Sequence, residues 1–155
     1  MNKNSFKRFD KSNIMRALYL LLFLFYVQTI SSQNDEKLEV LYGILKKVEQ
    51  GDILKNNDMF LLLESYNDSS LLNNAEFSEW RSEVIFEIIN HPSNLRKMMY
   101  ALKNKDSIFP YILEELSSPV HEQDYNKCIE NIRKTKGNQD IKMRMISALQ
   151  LIIEP

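Results

Sequence analysis

The stretch Asn74-Ala-Glu-Phe-Ser-Glu-Trp-Arg-Ser-Glu-Val-Ile-Phe-Glu-Ile-Ile-Asn-His-Pro92 decides the fold class. Phe77, Trp80, Val84 and Ile88 recur at helical spacing within one arc, and Ile85 and Ile89 widen it. A stripe of that width is an amphipathic helix that must bury one side against other elements. Both ends carry stop signals. Asn74 stands where its amide oxygen can accept from an orphan N–H of the first turn. Asn90-His91-Pro92 closes the run, because the residue before a proline is pushed out of the α region.

Similar grammar extends in both directions. Towards the C-terminus, Leu95, Met98, Met99 and Leu102 mark a fourth helix. Asp106 or Ser107 is placed to cap a fifth, carrying Ile108, Phe109, Ile112, Leu113 and Leu116. Pro110 falls in its first turn, where a missing N–H is harmless. Ser118-Pro119 reads as a Ser cap with Pro at the first helical position, opening a sixth helix. Its face is Tyr125, Cys128, Ile129 and Ile132, with Gly137 as its end. Asn138 caps the last helix, with Ile141, Met145, Leu149 and Ile152. Towards the N-terminus, residues 67–74 are a loop by composition. Asn57 is placed to cap a second helix running to Tyr66, with Phe60, Leu61 and Leu63 available for burial. Asn34 or Asp35 can cap the first, whose face is Leu38, Leu41, Tyr42, Leu45 and Val48, with Gly51 at its C′ position.

No stretch alternates as a strand between hairpin turns, and three Gly and four Pro in 155 residues leave few tight turns. The expectation is an all-α fold of six to seven short amphipathic helices, as a compact bundle or a short HEAT-like α-hairpin stack. A faint repeat motivates the second arrangement. Glu87-Ile-Ile-Asn-His-Pro92 and Glu114-Glu-Leu-Ser-Ser-Pro119 both run from a helix end through two polar residues to a Pro.

The first 32 residues have a different character. Residues 17–27, Ala-Leu-Tyr-Leu-Leu-Leu-Phe-Leu-Phe-Tyr-Val, are apolar or aromatic throughout. Lys3, Lys7, Arg8, Lys11 and Arg16 precede them, and a small polar exit containing Ser31 and Ser32 follows. A basic start, a short apolar centre and a small-residue exit are the parts of a secretory signal peptide. The run falls short of the ~20 apolar residues that a spanning helix needs. The expected organisation is a signal peptide over 1–32, with Met15 as an alternative start, and a single helical domain over 33–155. Cleavage after Ser31 or Ser32 both fit, and Ser32 is preferred. No Cys near the exit offers a lipid attachment point.

Charge and cysteine content narrow the function. Of 20 basic and 21 acidic residues, the leading segment takes five and one. The remainder carries 15 basic and 20 acidic residues, a net charge of −5. Such a domain has no general attraction to phosphate backbones or anionic lipid, so neither nucleic acid nor a membrane is expected as partner. Cys128 is the lone cysteine. It permits no internal disulfide and reads as a small buried apolar residue.

Catalytic and metal grammar is sparse. His121-Glu122-Gln123-Asp124-Tyr125 begins like a zinc-protease helix, but Tyr125 stands where the second His belongs. His121 precedes Cys128 by seven residues, about 10 Å of helical rise, too far for a nucleophile–base contact on one helix. No cofactor and no metal is expected. Two charged features remain. Arg133, Lys134, Lys136, Lys142 and Arg144 cluster around Gly137. Glu76, Glu79, Glu83 and Glu87 follow one edge of the third helix beside Trp80. Those five residues are the candidate site: an acidic strip for a basic surface on another protein, with Trp80 as anchor.

The expected function is an exported, periplasmic or secreted protein-binding module. An inhibitor or an immunity protein that neutralises a toxin is its concrete version. The alternative is an exported carboxylate-dependent hydrolase using Glu83 and Glu87. Asn67-Asp68-Ser69 adds an N-glycosylation sequon in a loop, meaningful in a eukaryotic host.

Overall fold

The computed structural model describes residues 36–71 and 74–153. Its packing divides the chain after Lys37, and the unit from Leu38 onwards forms the body discussed below. The expected signal peptide, its exit and the Met15 start lie outside the described residues.

Among the described residues there are seven helices and no strand. They are α1 (36–49), α2 (Asn56–Ser65), α3 (Ala75–Asn90), α4 (Pro92–Lys103), α5 (Phe109–Ser117), α6 (Tyr125–Lys134) and α7 (Gln139–Ile153). None is long and apolar enough to cross a membrane.

α3 is the central element. Phe77, Val84, Ile85, Phe86, Ile88 and Ile89 are all buried along it. It packs on α4, α5 and α6, while α7 closes the other side against α4, α5 and α6. In a solenoid each hairpin touches only its sequence neighbours. Here α2 reaches α4, α3 reaches α6 and α4 reaches α7, so the architecture is the compact bundle. Apolar burial of roughly 1.5–3 kcal/mol per large side chain holds it together.

Local signals set most helix ends as expected. Asn74 Oδ1 accepts from Phe77 N at 2.9 Å, and Asn138 Oδ1 accepts from Ile141 N at 3.2 Å. Gly51 sits at φ +76° after α1. There Gly51 N donates to Val48 O and Asp52 N to Lys47 O, both at 2.9 Å, which satisfies two orphan carbonyls. Pro92 is the first residue of α4.

Four boundaries differ from the sequence reading. α6 begins at Tyr125, not at Pro119, and Asp124 Oδ1 caps it by accepting from Lys127 N at 3.0 Å. Residues 118–124 form a loop instead, because that run has little to bury: Val120 is 55 % exposed. α5 begins at Phe109, since residues 105–108 close a turn in which Ile108 N donates to Lys105 O. α2 has Lys55 at its cap position with no side-chain cap, and it buries Met59, Leu62 and Leu63 while Leu61 faces out. Gly137 lies three residues beyond the end of α6. A Cβ there would come within 2.3 Å of Met99 Sδ, so close approach explains this glycine better than helix termination does.

Four polar side chains tie loops and helix ends to the bundle. Asn94 is buried on α4; its Oδ1 accepts from Leu54 N and its Nδ2 donates to Asp52 O, both at 2.9 Å. Lys97 adds a bond from Nζ to Leu54 O. Lys142 buries its stem and donates to Arg133 O at 2.6 Å, which satisfies a carbonyl in the last turn of α6. Arg81, on the inner side of α3, pairs with Glu115 of α5 at 2.8 Å and donates to the Ser65 and Tyr66 carbonyls at 3.4 and 3.3 Å. Tyr66 returns a bond from its hydroxyl to Arg81 O at 2.6 Å.

Candidate functional site

The helical register of α3 that buries its apolar stripe leaves an edge in solvent. Glu76, Glu79 and Glu87 on that edge are exposed, and Glu83 and Trp80 are half-buried. The five residues therefore lie together as expected. Trp80 is fixed by the seam with α1. Its ring lies 5.1 Å from Tyr42 at 60°, and Tyr42 lies 6.1 Å from buried Phe77 at 79°. Desolvation, then the Glu76 charge, raise the Tyr42 phenol above its ordinary range, opposed by a hydrogen bond with Asn74.

Three further side chains join the edge from elsewhere. The 118–124 loop brings His121 onto it, with Nε2 at 3.0 Å from Glu83 and 3.2 Å from Glu79. Among the described residues, His121 is the one basic side chain within ion-pair distance of these carboxylates. Glu49 of α1 and Gln123 of the loop join Glu83, Val84 and Glu87 around a shallow concavity of about 310 Å³. Neither His121 nor Glu49 is legible as a site residue in the sequence. His121 reads as part of a helix until the loop is seen, and Glu49 reads as one more solvated charge.

The other chemical candidates separate in space. Cys128 is buried, and its thiol is pushed up to about 11, first by burial and then by the Asp124 charge. A thiol held protonated is a poor nucleophile. His121 spends its Nε2 on two carboxylates. The basic cluster around Gly137 does not form one patch. Lys142 turns inward to Arg133 O, Lys134 pairs with Glu130, and Arg144 lies 4.3 Å over the Phe109 ring. Among the described residues no group of three or more His, Cys, Asp or Glu is arranged to hold a metal ion. Asn67 of the sequon is exposed in the turn after α2.

A larger polar concavity, about 620 Å³, lies between the end of α2 and the α4–α5 turn, beside the Lys105–Glu64 ion pair. It contains none of the sequence-predicted site residues. No family model, curated protein or solved structure matches this chain.

Proposed function

We propose that this chain is an exported helical module, periplasmic or secreted, that binds another protein through the α3 edge. The partner presents a basic surface. An inhibitor or a toxin-neutralising immunity protein is the concrete form of this reading. One observation carries it: Glu76, Glu79, Glu83 and Glu87 stand in line on a single helix, with a half-buried Trp80 among them. A carboxylate row steers a cationic partner, and an aromatic group held at its centre supplies apolar contact area.

The hydrolase alternative finds less support. A general acid needs a carboxyl in a dry pocket, opposed across a cleft by a second one. Glu83 and Glu87 are instead a helical turn apart on one solvated edge. Unchanged hydrolytic activity in Glu83→Gln would remove that reading.

The deciding experiment is capture from the exported fraction of the host. The wild-type chain is compared with a Glu76→Lys/Glu87→Lys double variant and with Trp80→Ala. A partner retained by the wild type and lost with both variants supports the proposal. Recovery of no partner, or equal recovery by all three chains, overturns it.

A further inference from the structure

We propose that His121 is a pH-operated latch that holds the 118–124 loop against the edge of α3. The latch is distinct from the docking role and operates whether or not that edge binds a partner. It rests on how the loop is attached. Residues 118–124 join α5 to α6 without helical structure. Their backbone hydrogen bonds lie at the loop's two ends, where Ser118 N donates to Glu114 O and Tyr125 N donates to Gln123 O. Between those ends, the polar tie to the bundle is His121, whose Nε2 reaches Glu83 at 3.0 Å and Glu79 at 3.2 Å.

The chemistry of that tie depends on one proton. As imidazolium, His121 carries a positive charge beside two negative ones, and its Nε2–H is attracted to both. As neutral imidazole it keeps at most one Nε2 hydrogen for two carboxylates, and the charge attraction is gone. Histidine is the side chain whose charge ordinarily changes between pH 5 and 8. Lys127, in the first turn of α6, is a cation beside the loop, its backbone N donating to Asp124 Oδ1, while the carboxylates nearby come from α3, α1 and the loop. α3 contributes Glu79 and Glu83 directly, with Glu76 and Glu87 further along its edge. α1 contributes Glu49 to the neighbouring concavity, and the loop itself carries Glu122 and Asp124. Once His121 is neutral, the loop carboxylates and the α3 carboxylates repel without a mediator. The loop then lifts away from Glu79 and Glu83.

The test is backbone-amide NMR on the full chain, reading the order of residues 120–123 at pH 5.5 and pH 8.0. Three chains are compared: wild type, His121→Gln, which keeps a hydrogen-bond donor without a titratable charge, and Glu79→Gln/Glu83→Gln. In the wild type the loop is ordered at pH 5.5 and loses order at pH 8.0. The open fraction grows by roughly three- to tenfold, the range that two solvent-exposed ion pairs supply. In His121→Gln the loop order is the same at both pH values. In the double Gln variant the loop is already loose at pH 5.5. A wild-type loop whose order does not change across the range overturns the latch. So does a His121→Gln loop that changes as much as the wild type, or a double variant that stays ordered at pH 5.5. Amides in α3 and α7 report that each variant is folded, which separates loop release from loss of the bundle.

Discussion

At the scale of single residues, the buried charge and the buried thiol make the sharpest predictions. Arg81 and Glu115 are 10 % and 15 % exposed and pair at 2.8 Å. Removing one partner strands the other in a poorly solvated place, which costs about 3–5 kcal/mol. Glu115→Ala is therefore expected to lower stability by that order in urea unfolding. A further Arg81→Met change should recover part of the loss by removing the stranded charge. The pair was hidden in the sequence for a definite reason. Arg81, Val84, Ile85 and Ile88 share helical spacing, so Arg81 falls on the apolar arc, yet an arginine there reads as a polar interruption. Its partners lie 15, 16 and 34 residues away, beyond any local pattern.

Cys128 and Tyr66 give the pH dependence at this same scale. The Cys128 thiol is raised from 9.0 to about 11, first by burial and then by Asp124. Burial, and after it the Glu115 charge, push the Tyr66 phenol well above its ordinary 10.0, with Arg81 opposing. Both folded groups hold their protons more tightly than the unfolded chain does. Their contribution is complete below the unfolded values and is lost as pH rises through them. Thermal unfolding should therefore show stability falling from about pH 9 upwards, with the phenol joining near pH 10. In Cys128→Ala the onset should move to the higher value. At pH 8 the native thiol should resist a disulfide reagent that reacts at once with the unfolded chain.

At the scale of elements, the helices were legible and several junctions were not. A helix announces itself through its own repeated apolar positions, so α3, α4 and α7 follow directly from residue spacing. Caps are local too, and Asn74 and Asn138 perform as placed. A junction is decided by what the neighbouring elements offer to bury. Pro119 could have opened a helix, but Val120-His121-Glu122-Gln123 supplies no apolar face, and Asp124 caps a later start. The site followed the same division: the α3 row was readable, and His121 became visible only with the loop. Asn94 illustrates an element tied by one side chain. It supplies Leu54 N with an acceptor and Asp52 O with a donor, each at 2.9 Å. Asn94→Ala leaves both backbone groups without that partner and should cost about 2–3 kcal/mol in denaturant unfolding. Asn74→Ala loses one cap and should cost about 1 kcal/mol.

At the scale of the whole molecule, the question is whether the seven helices among the described residues behave as one cooperative body or as a string of hairpins. The two arrangements share the same sequence grammar, because a helix, a polar pair and a proline serve either. They differ in which helices touch. α7 packs on α4, α5 and α6, and α3 packs on α4, α5 and α6, so the last helix and the central one share three supports. Leu149 is fully buried in α7. Leu149→Ala deletes core volume there and should cost roughly 2–5 kcal/mol. Trp80, the single tryptophan, reports on α3 and its seam with α1. In a shared core the loss at α7 reaches Trp80 undiminished. The denaturation midpoint followed by Trp80 fluorescence should then fall with the midpoint followed by far-ultraviolet circular dichroism, and the two curves should coincide. A nearest-neighbour stack would let the terminal helix melt first and leave the Trp80 midpoint behind, because each unit there answers mainly to its neighbour. Coincident curves in Leu149→Ala support the bundle as a thermodynamic unit. A Trp80 midpoint that stays at its wild-type value while the circular dichroism midpoint falls would reverse that assignment.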